Sequence, residues 1–185
     1  MRRLSLVVTV SVIAAVATVN VASPTQASTP GTAVGTGGYH ATIQRTTDGV
    51  PHISGATIGD ALFGQGYANA EDHGCTLADA MLTPLGRRAA TFGAGTDDAN
   101  VTSDLAWRSI GLADLATADF ATASDGARTM ITAYADGWNR YLAQHGTFTG
   151  WCAGQDWVRP ITPVSYTHLR AHETVLDLVC RLLLA

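Results

Sequence analysis

DGVPHI at residues 48–53, followed by GQGYANAED at residues 64–72, is the part of this 185-residue chain that decides its fold. Just before it, residues 39–45 alternate between two sets of side chains, which is the period of a β-strand. Thr47-Asp48-Gly49 is a turn signal, since glycine adopts positive φ without strain. Residues 50–54 can return as a second strand. The pattern therefore predicts an N-terminal β-hairpin.

A long helix is predicted to follow the hairpin. Thr57 has the residue type of an N-cap, and Asp60 stands three positions later as a weak capping box. Apolar residues then recur at helical spacing to near Gly86. Gly64 and Gly66 are poor helix formers, so we expect another backbone to pack closely against them.

A second long helix is predicted from Ser124-Asp125 to about Gly146. Its apolar residues form one broad stripe, made of Met130, Ile131, Tyr134, Trp138, Tyr141 and Leu142. Between the two helices, residues 92–103 are rich in Gly, Asp and Asn and are predicted to be a loop, whereas residues 105–123 are predicted to be helical in pieces. Residues 147–163 are predicted to be irregular. The expected fold class is α+β, mainly helical with an N-terminal β-hairpin.

The first 27 residues have the pattern of a secretory signal peptide. Arg2 and Arg3 precede a largely apolar run, and Thr25-Gln26-Ala27 supplies the small residues that a signal peptidase recognises. The alternative is a membrane anchor, but the Ala, Thr and Ser content makes the run weakly apolar for a stable span. Residues 28–38 are rich in Gly, Thr, Ser and Pro and are predicted to be a flexible leader. We therefore expect a secreted protein, extracellular or periplasmic, without a stable membrane anchor.

The other end of the chain changes character at Val164. Residues 164–185 end in CRLLLA with neither a cap nor a turn. The string SYTHLRAHET resembles translated vector or adapter DNA. We therefore expect residues 164–185 to be a non-native tail, which leaves residues 39–163 as the folded domain.

Charge and cysteine content restrict the class of protein further. Residues 28–163 carry seven arginines against thirteen acidic residues, and the chain contains no lysine. An acidic domain without a basic stripe argues against nucleic acid as a partner. Because Cys180 falls in the suspect tail, Cys75 and Cys152 remain as the expected disulfide in an oxidising compartment. Two buried free thiols are the alternative.

No constellation in the sequence can cleave a bond by itself, and no catalytic, cofactor-binding or metal site is expected. A G-x-S-x-G elbow is absent. His168 and His172 lack the H-E-x-x-H order of a zinc motif and lie in the suspect tail. His52 has no Ser or Cys nucleophile nearby, so we interpret it as a structural residue of the hairpin instead of a base.

Two further groups of residues receive structural interpretations. Glu71 and Asp72 are adjacent and diverge by about 100° on a helix, so they are not expected to face one substrate. Helix capping or salt bridging to Arg87 or Arg88 is expected instead. The Trp and Tyr residues of 134–157 are interpreted as core, because Trp138 and Tyr141 share the stripe of Ile131.

Taken in order, the motifs resemble those of the penicillin-acylase family of N-terminal-nucleophile amide hydrolases. The two opening motifs are followed by LGRR at residues 85–88 with Phe92-Gly93, by YADGWN at residues 134–139, and by CAGQDWVRP at residues 152–160. The last motif, together with Cys75, is most similar to the branch of aculeacin-type and acyl-homoserine-lactone acylases. The likeness covers residues 39–163.

The resemblance implies a four-layer αββα fold, made by an exported precursor that cuts itself into an α subunit, a spacer and a β subunit. The N-terminal Ser of the β subunit would attack the substrate amide, with its own α-amine as base. These groups would lie beyond Pro163, so the chain is expected to be an α-subunit fragment that is inactive alone. The implied substrate is a lipopeptide, a homoserine lactone or a β-lactam, and no cofactor is implied. The alternative is a complete small secreted helical protein with a binding or structural role.

Overall fold

The computed structural model of the protein describes residues 31–36 and 38–167. A three-stranded antiparallel sheet comes first, with β1 (Thr32–Thr36), β2 (Tyr39–Arg45) and β3 (Pro51–Gly55) side by side in chain order. The helices that follow are α1 (Ile58–Leu82), α2 (Arg88–Phe92), a 3-10 turn (Thr96–Asp98), α3 (Ala99–Ile110), α4 (Leu112–Thr122) and α5 (Asp125–His145). Residues 163–167 are again helical. The described part of the chain is thus mainly helical behind an N-terminal sheet, as predicted.

Several predictions concern residues outside the described ones. These are the signal peptide at residues 1–27, the histidines His168 and His172, and Cys180. Within residues 31–36 and 38–167, no helix is long and apolar enough to span a membrane.

The predicted hairpin is confirmed. Ile43 of β2 pairs with Ile53 of β3, and the turn between the strands places Gly49 at φ 81°. Only glycine adopts that conformation without strain. Ala41 and Ile43 are buried while their neighbours are exposed, so one face of the hairpin covers α1.

The strand β1 lies within residues 28–38, where composition predicts a flexible leader. It pairs with β2 from Thr32 opposite Ile43 to Thr36 opposite Tyr39, and its Val34 is buried in the core. The open edge of β2 supplies hydrogen-bond partners to a segment of small residues, and one buried apolar side chain fixes which face points inward. The composition of residues 28–38 gives no signal of this strand.

α1 and α5 pack against each other at two glycines. A Cβ on Gly66 would overlap the carbonyl group of Tyr134, and a Cβ on Gly137 would overlap that of Phe63. The backbones of the two helices therefore touch, which confirms the close approach predicted at Gly66. Gly64 instead lies against the side chains of Ile53 and Ala41, so its role is to let the sheet approach α1.

The core closes around aromatic side chains. Trp138 and Tyr134 of α5 are fully buried with Phe63 and Phe148. The Trp138 ring meets Phe148 edge to face at 4.7 Å between centroids, a favoured aromatic geometry. The interpretation of the 134–157 aromatics as core is confirmed for Trp138, Tyr134 and Tyr141 and is wrong for Trp151, which is 63% exposed.

The ends of both long helices follow the local sequence signals. Thr57 and Asp60 form the capping box of α1, and the Ser124 hydroxyl accepts a hydrogen bond from the Ala127 N–H at the start of α5. Gly146 ends α5 in the left-handed conformation, as predicted. α1 ends at Leu82, and its backbone breaks at His73.

The predicted loop at residues 92–103 is wrong in its second half, because α3 begins at Ala99. Asp97 and Asp98 have φ values of 51° and 57°, a conformation that Asp tolerates better than most residues. The Asp and Gly residues that suggested a loop therefore set the start of a helix. The prediction that residues 105–123 are helical in pieces is confirmed, with a break between α3 and α4 at Gly111.

Candidate functional site

Arg45, the last residue of β2, binds two consecutive acidic residues of α1. Its Nη1 donates to Asp72 Oδ2 at 2.9 Å, and its Nη2 donates to Glu71 Oε2. Nη1 also donates to the carbonyl oxygen of Gly49 at 2.9 Å. The hydrogen bond to Asp72, followed by the one to Glu71, raises the pKa of Arg45 against the opposing effect of burial. This permanently charged group joins the hairpin turn to the middle of α1.

The expected pairing of Glu71 and Asp72 with Arg87 or Arg88 is therefore wrong. Arg88 Nη1 binds Asp79 Oδ1 at 2.7 Å instead. Neighbouring carboxylates on a helix can reach one cation when that cation is a planar guanidinium with five donors. Since both carboxylates bind Arg45, they connect sheet to helix and do not form a catalytic acid pair.

Asp60 is a buried carboxylate at the start of α1. It accepts hydrogen bonds from the Thr57 N–H at 2.9 Å, from the Thr57 hydroxyl at 2.8 Å and from the His40 N–H at 2.8 Å. The hydrogen bond from His40, then that from the Thr57 hydroxyl, holds the pKa of Asp60 below its usual value. The capping role of Asp60 is confirmed. Its hydrogen bond from the His40 N–H of β2 was not predicted, because a backbone donor twenty residues away leaves no sequence signal.

The structure contains the Cys75–Cys152 disulfide that the cysteine count predicts. Cys152 is fully buried, and Cys75 lies on α1 just beyond the break at His73. The ring of Phe148 lies directly against Gly74. The disulfide and this contact together hold the irregular segment after α5 against the second half of α1.

The YADGWN motif at residues 134–139 consists of packing residues. Tyr134 accepts a hydrogen bond from Asn69 Nδ2 at 3.0 Å, and burial raises the pKa of Tyr134 to about 12. Gly137 admits the backbone of α1, as described above. Asn139 donates to the Ile161 carbonyl and accepts from the Ile161 N–H, both at 2.8 Å. The motif therefore fixes α1 and the segment that leads to residue 163.

An open groove of about 410 Å³ lies on the outer face of α1 and α5. It is lined by Leu62, Gln65, Met130, Ile131, Tyr166 and Thr167. The Tyr166 ring stacks on Tyr134 at 4.0 Å between centroids, so the helical residues 163–167 form one wall. The lining of this groove is mostly apolar.

The remaining predicted positions carry no reactive arrangement. His52 is exposed on β3, opposite Gln44 of β2. In residues 31–36 and 38–167, no group of three His, Cys, Asp or Glu side chains is placed to hold a metal ion.

Comparisons with known proteins identify the family of this scaffold. The sequence model of the penicillin amidase family matches residues 40–184. Aculeacin-A acylase of Actinoplanes utahensis is 33% identical over 138 residues, which is 69% of this chain and 18% of that protein. Acyl-homoserine lactone acylase PvdQ of Pseudomonas syringae pv. syringae is 38% identical over 131 residues, which is 66% of this chain and 16% of that protein.

A solved structure indicates the same family. A thermostable penicillin G acylase from Alcaligenes faecalis superposes with a TM-score of 0.61 at 26% identity, over 71% of this chain and 70% of that one. The chain belongs to the penicillin amidase family. It is a member by sequence and by fold, and it spans 16–18% of the length of the two curated relatives.

Proposed function

We propose that this chain is the α-subunit part of a secreted amide hydrolase that removes an acyl side chain from a lipopeptide, a homoserine lactone or a β-lactam. The nucleophile, its oxyanion donors and the maturation site would belong to a β subunit cut from the same precursor. The chain alone would be inactive. Together the two subunits would form the four-layer αββα fold.

The observation that carries this proposal is the set of matched proteins. The family model matches residues 40–184, and the similar curated proteins are acylases of which the chain spans only 16–18%. Their names give acyl-bearing substrates, namely aculeacin A and acyl-homoserine lactones.

Exposed apolar side chains on the helices support the proposal that a partner subunit covers this surface. Large apolar side chains are exposed along α3 and α4, namely Val101, Leu105, Ile110 and Leu115. We infer that these side chains contribute to a contact surface, since apolar side chains that form one exposed patch mark such surfaces. The β subunit would cover them, and the faces of α1 and α5 that carry Leu62 and Ile131 would form part of one wall of the acyl pocket.

The test begins at the source locus. The reading frame after Pro163 is sequenced, and both the 185-residue chain and the longer product are expressed. Amine release from an octanoyl amide and a phenylacetyl amide is then measured. We expect no turnover by the chain alone, and turnover by the longer product once it has been cut before a Ser.

Two results would overturn the proposal. One is hydrolysis by the 185-residue chain itself. The other is a stop codon soon after Pro163, which would favour a small secreted binding protein. The same sequencing checks the prediction that residues 164–185 are non-native.

A further inference from the structure

We propose a binding site for a small organic carboxylate with an apolar tail. It lies between the end of α1, the helix α2 and residues 156–161. Two adjoining cavities of about 260 and 150 Å³ share four lining residues there, namely Leu82, Arg87, Trp157 and Arg159. We call this pair of cavities the arginine cleft.

The mouth of the arginine cleft is positively charged within an acidic domain. Arg87 and Arg159 line both cavities, whereas Asp156 is the one acidic residue that lines either of them. Arg159 uses its Nε to bind the carbonyl oxygen of Asp156 at 2.9 Å. The side chain of Arg87 makes no hydrogen bond or ion pair with residues 31–36 and 38–167. Two guanidinium groups thus line the same pair of cavities, and arginine binds carboxylates through paired, charge-assisted hydrogen bonds.

The interior of the arginine cleft is apolar. The smaller cavity is lined by Met81 and Leu82 of α1, by Leu85 of the turn that follows α1, and by Trp138. Trp157 lines both cavities, and Phe92 packs edge to face against it at 5.4 Å between centroids. Inorganic phosphate would leave this interior empty, so the shape favours an acid with an aliphatic or aromatic tail.

The test uses the full chain and titrates it with octanoate. Binding is followed by calorimetry and by tryptophan fluorescence, since Trp138 and Trp157 line the cleft. Two matched ligands separate the contributions: octanamide has the tail without the charge, and acetate has the charge without the tail. We expect octanoate to bind at least about tenfold more tightly than either, because charge-assisted hydrogen bonds and tail burial each contribute.

Variants locate the site. Arg87→Gln and Arg159→Gln are each expected to weaken octanoate binding by about tenfold and to leave octanamide unchanged. Arg128→Gln is the control, because it removes the same charge at the start of α5, where Arg128 binds Asp125. Circular dichroism checks that each variant is folded. A thermal shift of the unmodified chain with octanoate, absent with octanamide, provides a second measurement.

The proposal fails if octanoate does not saturate, if octanamide binds equally well, or if Arg128→Gln weakens binding as much as the cleft variants do. It also fails if a glutamate-rich peptide saturates the site and octanoate does not, since the occupant would then be a polypeptide. None of these measurements involves hydrolysis, so the site stands or falls independently of the proposed acylase activity.

Discussion

Gly66 of α1 lies against the peptide carbonyl of Tyr134 on α5, with no room for even a methyl group between them. The same arrangement recurs one turn away, where Gly137 lies against the carbonyl of Phe63. Each helix thus presents a glycine to the backbone of the other. This contact sets the position of Trp138, which is fully buried in the core. The packing of the core therefore depends on the two glycines.

The first prediction concerns this helix pair. Gly66→Ala and Gly137→Ala are each expected to lower the free energy of unfolding by about 1–3 kcal/mol or more, because the added methyl group forces the two backbones apart. Gly126→Ala is the control, since Gly126 lies in the first turn of α5 with nothing near its Cβ position. It is expected to be neutral or to stabilise by up to about 1 kcal/mol. Urea unfolding followed by circular dichroism measures all three.

The second prediction concerns Arg45. Arg45→Gln is expected to lower the free energy of unfolding by about 1 kcal/mol, since the ion pairs with Glu71 and Asp72 are partly exposed and screened by solvent. The difference from the unmodified chain is expected to shrink at high salt. Asp125→Asn breaks a more exposed pair within one helix, that of Asp125 with Arg128, and is expected to change stability less. Equal effects of the two substitutions would contradict the role assigned to Arg45.

The third prediction is a pH dependence. The pKa of Asp60 is lower in the folded chain than the value of about 3.9 for an unfolded chain. The stability that this carboxylate contributes is therefore present above the unfolded pKa and is lost as the pH falls through the folded pKa. Asp60→Asn is expected to melt at a lower temperature near pH 7, with the gap closing in acid. Asp119→Asn, on the exposed face of α4, is the control. A gap that stays constant down to strongly acidic pH would contradict this account.

The fourth prediction concerns the disulfide. Cys75→Ser and Cys152→Ser are each expected to lower the free energy of unfolding by about 2–4 kcal/mol, because 77 positions of chain are then no longer closed into a loop. The double variant is expected to match either single variant, since one substitution already removes the bond. Thermal unfolding with and without reductant tests this. Additive losses would mean that the two sulfur atoms act separately.

Local signals in the sequence were sufficient for much of the fold. Thr57, Ser124 and Gly146 mark helix ends through hydrogen bonds and φ values that depend on one to four neighbouring residues. The hairpin follows from Gly49 for the same reason. The start of α3 was missed because Asp97 and Asp98 adopt a left-handed conformation that composition alone associates with loops.

The long-range contacts were harder to predict. The bonds from Arg45 to α1 and from His40 to Asp60 join residues more than a helical turn apart, so no spacing rule applies to them. The prediction that Arg87 pairs with Glu71 or Asp72 is wrong. Arg87 and Arg159 line one cavity because the disulfide holds the irregular segment after α5 against α1, and this long-range contact has no sequence signal. The family could be recognised from motifs, whereas none of the described residues reveals a chemical step.

The Asn139 side chain presents to Ile161 the same donor and acceptor that a neighbouring strand would present. The side-chain amide of Asn139 therefore makes the pair of hydrogen bonds that a neighbouring strand would make. These two bonds fix the direction of the backbone at Ile161. Asn139→Asp would turn that donor into a second acceptor facing the Ile161 carbonyl. The loss of this hydrogen bond would thus change the direction of the backbone at Ile161, and with it the position of the residues that follow.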